Sequence, residues 1–281
     1  MNAILKSISC AFTTLALTAS LVACSSNDDN TPTPPTPPGK TVNPSRVLKA
    51  GLPKSFNDAA FYYNKQGVLD SIVSTDKSKI TFTYGGQPSR TSVVHPKVHM
   101  KVDIDTETSE CDLYLNNNYF TAYATVTTTP KKAGSKSLTN TWTFGYNDAG
   151  QLTSARLENQ TLITLKYVDG DAVESRVQEI NNPKNLLVYN MSYTSKSISQ
   201  PIDNTAGLMF FDLTLGVDLD PIGFAYYAGL LGTATKHLPL HQICTQNNDE
   251  ATMTWTLNAR RMPISMKWES GDDMDFITFN W

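Results

Sequence analysis

The feature that most constrains the fold of this chain is one short phrase written twice and, in a worn form, a third time. Phe61-Tyr62-Tyr63-Asn64-Lys65-Gln66-Gly67-Val68-Leu69-Asp70-Ser71 matches Phe144-Gly145-Tyr146-Asn147-Asp148-Ala149-Gly150-Gln151-Leu152-Thr153-Ser154 in the pattern F-x-Y-N-x-x-G-x-L-x-S. Thirteen residues beyond each glycine comes a strand-like run, Ile80-Thr81-Phe82-Thr83-Tyr84 in one copy and Ile163-Thr164-Leu165-Lys166-Tyr167 in the other. The worn copy runs from Trp255-Thr256-Leu257-Asn258 through Pro263-Ile264-Ser265-Met266 and closes with Ile277-Thr278-Phe279-Asn280-Trp281. Asn64 and Asn147 suit the first position of a type I turn, where the side chain bonds the backbone two residues on. Gly67 and Gly150 suit the left-handed position that closes a bulged hairpin. Each unit therefore predicts strand, tight turn, strand, turn and third strand. A lone hairpin is marginal in water, so several must share one sheet.

The rest of the chain speaks the same grammar. Val98, Met100, Val102 and Ile104 alternate with His99, Lys101, Asp103 and Asp105, the pattern of a half-buried strand. Residues 119–129 are rich in Thr, aromatic and β-branched types, again suited to a strand. The expected fold is all-β: a large antiparallel meander forming a curled sheet or partly open barrel. The hairpin unit resembles the Tyr-Asp repeats of bacterial shell and surface proteins, with few and widely spaced copies.

One segment breaks the rhythm. Met209, Phe211, Leu213, Leu215, Val217 and Leu219 alternate as in a strand. Asp220-Pro221 then reads as a helix N-cap followed by proline at the first helical position, and Gly232 as a C-terminal stop. Residues 222–231 carry no charge, so a short helix near 220–232 should be buried on every side. It either plugs the core of the curled sheet or, with Tyr226, Tyr227, Lys236, His237 and His241, lines a mouth that receives a ligand.

The N-terminus reads as an address. Lys6 precedes a mostly apolar, uncharged stretch that ends in Leu21-Val22-Ala23-Cys24. This resembles a bacterial lipobox, cut before Cys24, whose thiol would carry a diacylglycerol; the alternative is a plain signal peptide with Cys24 incidental. Several acyl chains together would hold a folded domain on a membrane. Residues 31–39 contain five prolines, which favour extended polyproline II. The expected layout is a signal peptide over 1–23, a lipid-anchored tether over 24–42 and one antiparallel β domain over 43–281. Asp28-Asp29 resembles the export tag of surface lipoproteins in Bacteroidota-type bacteria, which implies an outer-membrane, cell-surface location; a periplasm-facing tether is the alternative. No run reaches 18 uninterrupted apolar residues, so no membrane-spanning helix is expected.

With Cys10 removed and Cys24 lipidated, Cys111 and Cys244 remain. They could form one disulfide or stay as two separate buried thiols. A formal net charge of −3 argues against nucleic acid as a partner. No catalytic signature appears, neither a G-x-S-x-G elbow, an H-E-x-x-H pair nor a phosphate loop, so no enzyme activity and no cofactor are expected. His95 and His99 lie too far apart along one strand to share an ion. The acidic groups Asp103-Asp105-Glu107 and Asp272-Asp273-Asp275 could offer Ca²⁺ oxygens, but they match no known loop and read better as turn and edge charges.

Ala225-Tyr226-Tyr227-Ala228-Gly229-Leu230-Leu231-Gly232, followed by Lys236-His237-Leu238-Pro239, resembles a family of Bacteroidota lipoproteins. That family carries a domain of unknown function described as porin-like in fold. The resemblance implies an antiparallel β architecture and no assigned activity. The functional expectation is a surface-anchored module that binds an extracellular ligand, such as a glycan or peptide, through exposed aromatics. The alternatives are a structural protein docking to an envelope complex, and a hydrolase. A membrane-spanning barrel fits poorly, because its strands need an apolar outer band.

Overall fold

The computed structural model describes residues 42–85 and 97–281. Cys24 and the lipobox, most of the proline tether and His95 lie outside them. Sixteen strands follow in chain order: β1 (Ser55–Phe56), β2 (Ala59–Tyr63), β3 (Leu69–Val73), β4 (Lys79–Tyr84), β5 (Lys97–Asp103), β6 (Glu107–Leu115), β7 (Thr121–Pro130) and β8 (Leu138–Tyr146). The second half holds β9 (Leu152–Leu157), β10 (Thr161–Val168), β11 (Asp171–Glu179), β12 (Leu186–Ser192), β13 (His241–Cys244), β14 (Glu250–Leu257), β15 (Pro263–Ser270) and β16 (Asp273–Asn280). Every strand pairs antiparallel with its neighbours in sequence. The short β1 then pairs with β16, Ser55 opposite Asn280 and Phe56 opposite Phe279, and closes the sheet into a barrel. The curled or partly open sheet expected from sequence is thus a fully closed one, and closure removes the exposed edges of an open sheet.

The recurring phrase forms the hairpins expected of it. Asn64 Oδ1 accepts from the backbone N of Gln66 at 2.9 Å and of Val68 at 3.1 Å, and Gly67 takes φ +74°. Asn147 Oδ1 accepts from Gln151 N at 2.9 Å, with Gly150 at φ +78°. In the worn copy Asn258 bonds Arg260 N and Met262 N, and Arg261 takes the left-handed position. A fourth copy joins β6 to β7. There Asn116 bonds Asn118 N and Phe120 N, with Tyr119 at φ +59°. A register shift falls in the strands beside all four turns, the bulge that such turns require.

All four turns lie at the same end of the barrel, because each joins an even-numbered strand to the next odd one. The connection from β12 to β13, residues 193–240, leaves from that end too, and residues 42–54 enter there ahead of β1. Both segments fold into the lumen. The expected strand over 209–219 is instead a short helix, α1 (Phe211–Leu215), ended by Gly216 at φ +65°. Inside a closed barrel no sheet edge is free to pair with it. The segment satisfies its own backbone, with Thr214 N donating to Phe210 O and Gly216 N to Asp212 O. Because apolar side chains on all sides are buried, their alternation carried no information about a single face.

The buried helical element follows, as expected, but as a 3₁₀ turn (Ile222–Tyr226) whose cap residue is Pro221 with no side-chain bond. Asp220 therefore does not cap a helix. Ile222, Tyr226 and Leu230 are fully buried along the plug. Phe56 gathers Phe61, Tyr227 and Phe279 in edge-to-face contacts at 4.8–5.3 Å, so the closing strand is also an anchor for the plug.

The outer wall carries charged clusters beside exposed apolar side chains such as Tyr62, Met274 and Phe276. On β5 and β6, Lys97 pairs with Asp112 at 2.8 Å and Lys101 with Glu110 at 3.0 Å, while His99 bridges both carboxylates at 2.7–2.9 Å. Arg176 meets Glu174 on β11 and Lys267 meets Glu269 on β15. These residues alternate with the buried Val98, Met100, Val102 and Cys111, so they face outward. A lysine or arginine held at the lipid midplane costs about 2–4 kcal/mol, so these charged clusters suit water.

Candidate functional site

The five residues expected to line a mouth are dispersed. Tyr226 and Tyr227 sit inside the plug, their hydroxyls donating to Gly207 O at 2.6 Å and Met209 O at 3.2 Å. A buried phenol needs an acceptor, and the plug's own carbonyls supply it. Lys236 is exposed and His237 half-buried at the end that carries the four turns. His237 Nδ1 lies 2.6 Å from Asp171 Oδ2, and its backbone N donates to Asp171 Oδ1 at 2.8 Å. His241 is on the opposite face of β13 from the buried Gln242 and Cys244, 3.4 Å from Glu250. Cys111 and Cys244 are free, buried thiols on β6 and β13, so the candidate disulfide is not formed. Burial pushes the Cys111 thiol well above its ordinary range, which leaves it protonated and inert.

The plug is stitched to the turn end by backbone bonds. Thr121 N donates to Leu230 O at 2.8 Å, Thr233 N to Gly150 O at 2.9 Å and Lys236 N to Gly170 O at 2.9 Å. Gly207 packs directly beneath the N-terminal segment. A Cβ there would stand 2.0 Å from Val47 O, and its φ of +72° also excludes most side chains. A polar cleft of about 340 Å³ remains at this end, with Lys49 and Lys236 exposed on its rim. Its inner amides are already engaged: Gln151 Nε2 donates to Gly170 O and Ala234 O, and Asn204 Nδ2 to Leu208 O and Thr235 O.

The plug's other extremity has a different chemistry. From α1 the chain runs to Asp218–Pro221, then turns back through the 3₁₀ segment. Trp268 Nε1 donates to Leu213 O and Ser175 Oγ to Leu215 O, fixing this tip against β15 and β11. Beneath it is a cavity of about 50 Å³, lined by Met209, Leu219, Asp220, Phe224 and Tyr227 among others. Asp220 N donates to Asp218 Oδ1 at 2.8 Å, while Asp220 Oδ2 is buried with no hydrogen-bond partner among the described residues. Burial foremost, then the neighbouring carboxylates of Asp218, Asp212 and Glu107, holds the Asp220 carboxyl well above its ordinary range. Partial desolvation of the carboxyl and then Asp212 likewise raise Asp218, although the residue as a whole stays exposed, and burial raises Glu107. Glu107 opens β6 at the end away from the four turns, and Asp218 is exposed, so the tip faces that far end.

Sequence reasoning missed this group by assigning Asp220 to a helix cap and Glu107 to a cluster with Asp103 and Asp105. In the barrel Asp103 faces outward to Lys131 at 2.7 Å, whereas Glu107 shares the inward parity of Ser109 and Cys111. The signal available was the occurrence of Asp212, Asp218 and Asp220 in an otherwise apolar stretch. Among the described residues no three His, Cys, Asp or Glu side chains are grouped to hold a metal ion.

Comparison with known proteins bears on the architecture. A porin-like protein from Bacteroides uniformis, known by crystal structure, superposes with a TM-score of 0.51 at 17% identity, over 79% of this chain and 89% of that one. A porin-like protein from Bacteroides vulgatus gives a TM-score of 0.39 at 10% identity, covering 81% and 87% of the two chains. No curated protein matches the sequence. The sequence model of one family matches residues 60–265, from β2 into β15, and the chain belongs to that family, the domain of unknown function (DUF4595) with porin-like fold.

Proposed function

We propose that this protein is a lipid-tethered envelope protein whose barrel works as a binding module and not as a conducting pore. The observation that carries this reading is the occupied lumen: residues 193–240 run through it, with Ile222, Tyr226 and Leu230 fully buried between its two ends. The charged outer wall supports it, since Lys97, Lys101, Arg176 and Lys267 stand where a spanning barrel needs apolar side chains. Held by Cys24, the barrel would hang from its turn end, where residues 42–54 enter, and present the acidic far end away from the lipid. The polar, proline-rich run over 25–40 is long enough to make that standoff.

The test is a Cys24→Ser substitution in the full chain, followed by fractionation of the envelope. The expected result is a folded barrel that leaves the membrane fraction without detergent, while the wild type stays with it. A substituted protein that resists alkaline extraction from the membrane would contradict the reading.

A further inference from the structure

We infer that the cavity at the tip of the plug is a binding site for a linear aliphatic amine, a ligand presenting an ammonium group on an alkyl stem. The inference rests on the binding-module reading and names the ligand class of its far-end site. The central observation is Asp220 Oδ2, a buried carboxyl oxygen without a hydrogen-bond partner among the described residues, on the wall of a mostly apolar cavity that Asp212 also lines. Buried polar atoms left unpaired are costly and rare in folded proteins, and a site for a partner is one explanation they invite.

The chemistry selects the partner. The charged groups that bear on Asp220 are all carboxylates, Asp218 and Asp212 on the plug and Glu107 on β6, so the site attracts a cation. Calcium takes six to eight oxygens and magnesium a near-octahedral set. Among the described residues no group of three such ligands converges. An ammonium has only three donors to satisfy and leaves its stem free for apolar contact. Asp220 Oδ2 meets the first donor once the carboxyl gives up its proton to solvent, a loss that the arriving positive charge favours. Asp218, whose Oδ1 already accepts from Asp220 N, offers its second oxygen at the solvent side. Leu219, Phe224 and Tyr227 supply the apolar wall, and ring faces favour a nearby cation. A cavity of about 50 Å³ is far smaller than those that take drug-sized molecules, which fits a narrow chain entering end-on.

Two sources share this chemistry, a small free diamine and a lysine side chain of another polypeptide. Titration calorimetry of the full chain in a non-ionic detergent, at neutral pH and low salt, separates them. The probes are n-pentylamine, 1,5-diaminopentane and Nα-acetyl-lysine methylamide, with 1-pentanol as the neutral control and calcium chloride as the metal control. The expected result is binding of the amines with pentanol at least about tenfold weaker, and no displacement by calcium. A tighter diamine identifies a free small amine, and a tighter lysine derivative identifies a polypeptide. Asp220→Asn should weaken the amines at least about tenfold, and Asp218→Asn by a smaller factor. Should Asp220→Asn fail to fold by circular dichroism, Asp218→Asn decides alone. Equal binding of pentanol and pentylamine, displacement by calcium, no heat with any amine at about 10 mM, or unchanged affinity in the deciding variant would overturn the inference. None of those outcomes touches the behaviour of Cys24→Ser, so failure here is distinct from failure of the tethered-module reading.

Discussion

The hydroxyl of Tyr226, in the middle of the barrel, donates a 2.6 Å hydrogen bond to the carbonyl of Gly207 at the turn end. That bond ties the returning limb of the plug to the descending one, and Tyr226 is fully buried. Removing the hydroxyl leaves a buried carbonyl unpaired, so Tyr226→Phe should lower stability by about 1–2 kcal/mol. Tyr226→Ala also opens a cavity and should lower it by about 3–5 kcal/mol. Urea denaturation followed by near-ultraviolet circular dichroism measures both, and equal stability of the three proteins would show that the plug carries no structural weight.

Gly207 also fixes the N-terminal segment. With a Cβ 2.0 Å from Val47 O, Gly207→Ala must displace residues around Val47 and Leu48, which are buried in the wild type. The expected outcome is a loss of about 1–3 kcal/mol. Tryptic cleavage at Arg46 and Lys49 should also become faster, as limited proteolysis followed by mass spectrometry would show.

Asp220 gives a signed pH effect. Its carboxyl is held above the ordinary value of the unfolded chain by burial and by Asp218, Asp212 and Glu107, so the folded state binds the extra proton. Between the unfolded and the folded value, stability therefore falls as pH rises. Asp103, Glu110 and Asp112 on the outer wall are shifted the other way, chiefly by Lys131, Lys101, Lys97 and His99, and contribute the opposite slope. The difference between wild type and Asp220→Asn isolates the first effect. The substituted protein should lose less stability than the wild type as pH is raised from the ordinary carboxylate range to neutrality, and melting curves across that range would show it.

The thiols offer a simple check of register. Cys111 and Cys244 are buried and unpaired on strands seven places apart in the barrel order. A reducing agent should leave the melting temperature unchanged, and both thiols should react with Ellman's reagent only after denaturation. A fall in melting temperature on reduction would mean that the two strands approach each other.

How far the architecture could be read from sequence depends on the residue doing the work. Asn64 with Gly67 and Asn147 with Gly150 were legible because the left-handed position is filled by the residue type that enters it freely. The equivalent turn at Asn116 was not, because Tyr119 holds that position. The alternation at Val98–Ile104 found β5 because one face is wet, whereas the same spacing at 209–219 holds a short helix whose apolar residues are packed inside the barrel. Closure rests on a two-residue strand, Ser55–Phe56, too short to leave any periodic trace. Tyr226 and Tyr227 were recognised as belonging to a buried element or a mouth; both are buried in the plug, and Tyr227 also lines the cavity at its tip. The acidic tip was hidden because Asp220 before Pro221 has the form of a helix cap, while Glu107, which joins it from β6, is far away in sequence.

The β12–β13 connection, residues 193–240, fills the barrel's own lumen. Conductance across a planar bilayer exposed to the purified full chain tests it most directly. A silent membrane is expected under applied voltage at protein concentrations where a general porin gives stepwise current. Discrete, ohmic opening steps from the wild-type chain would contradict it, because ions cannot pass a lumen in which Ile222, Tyr226 and Leu230 are closed to water.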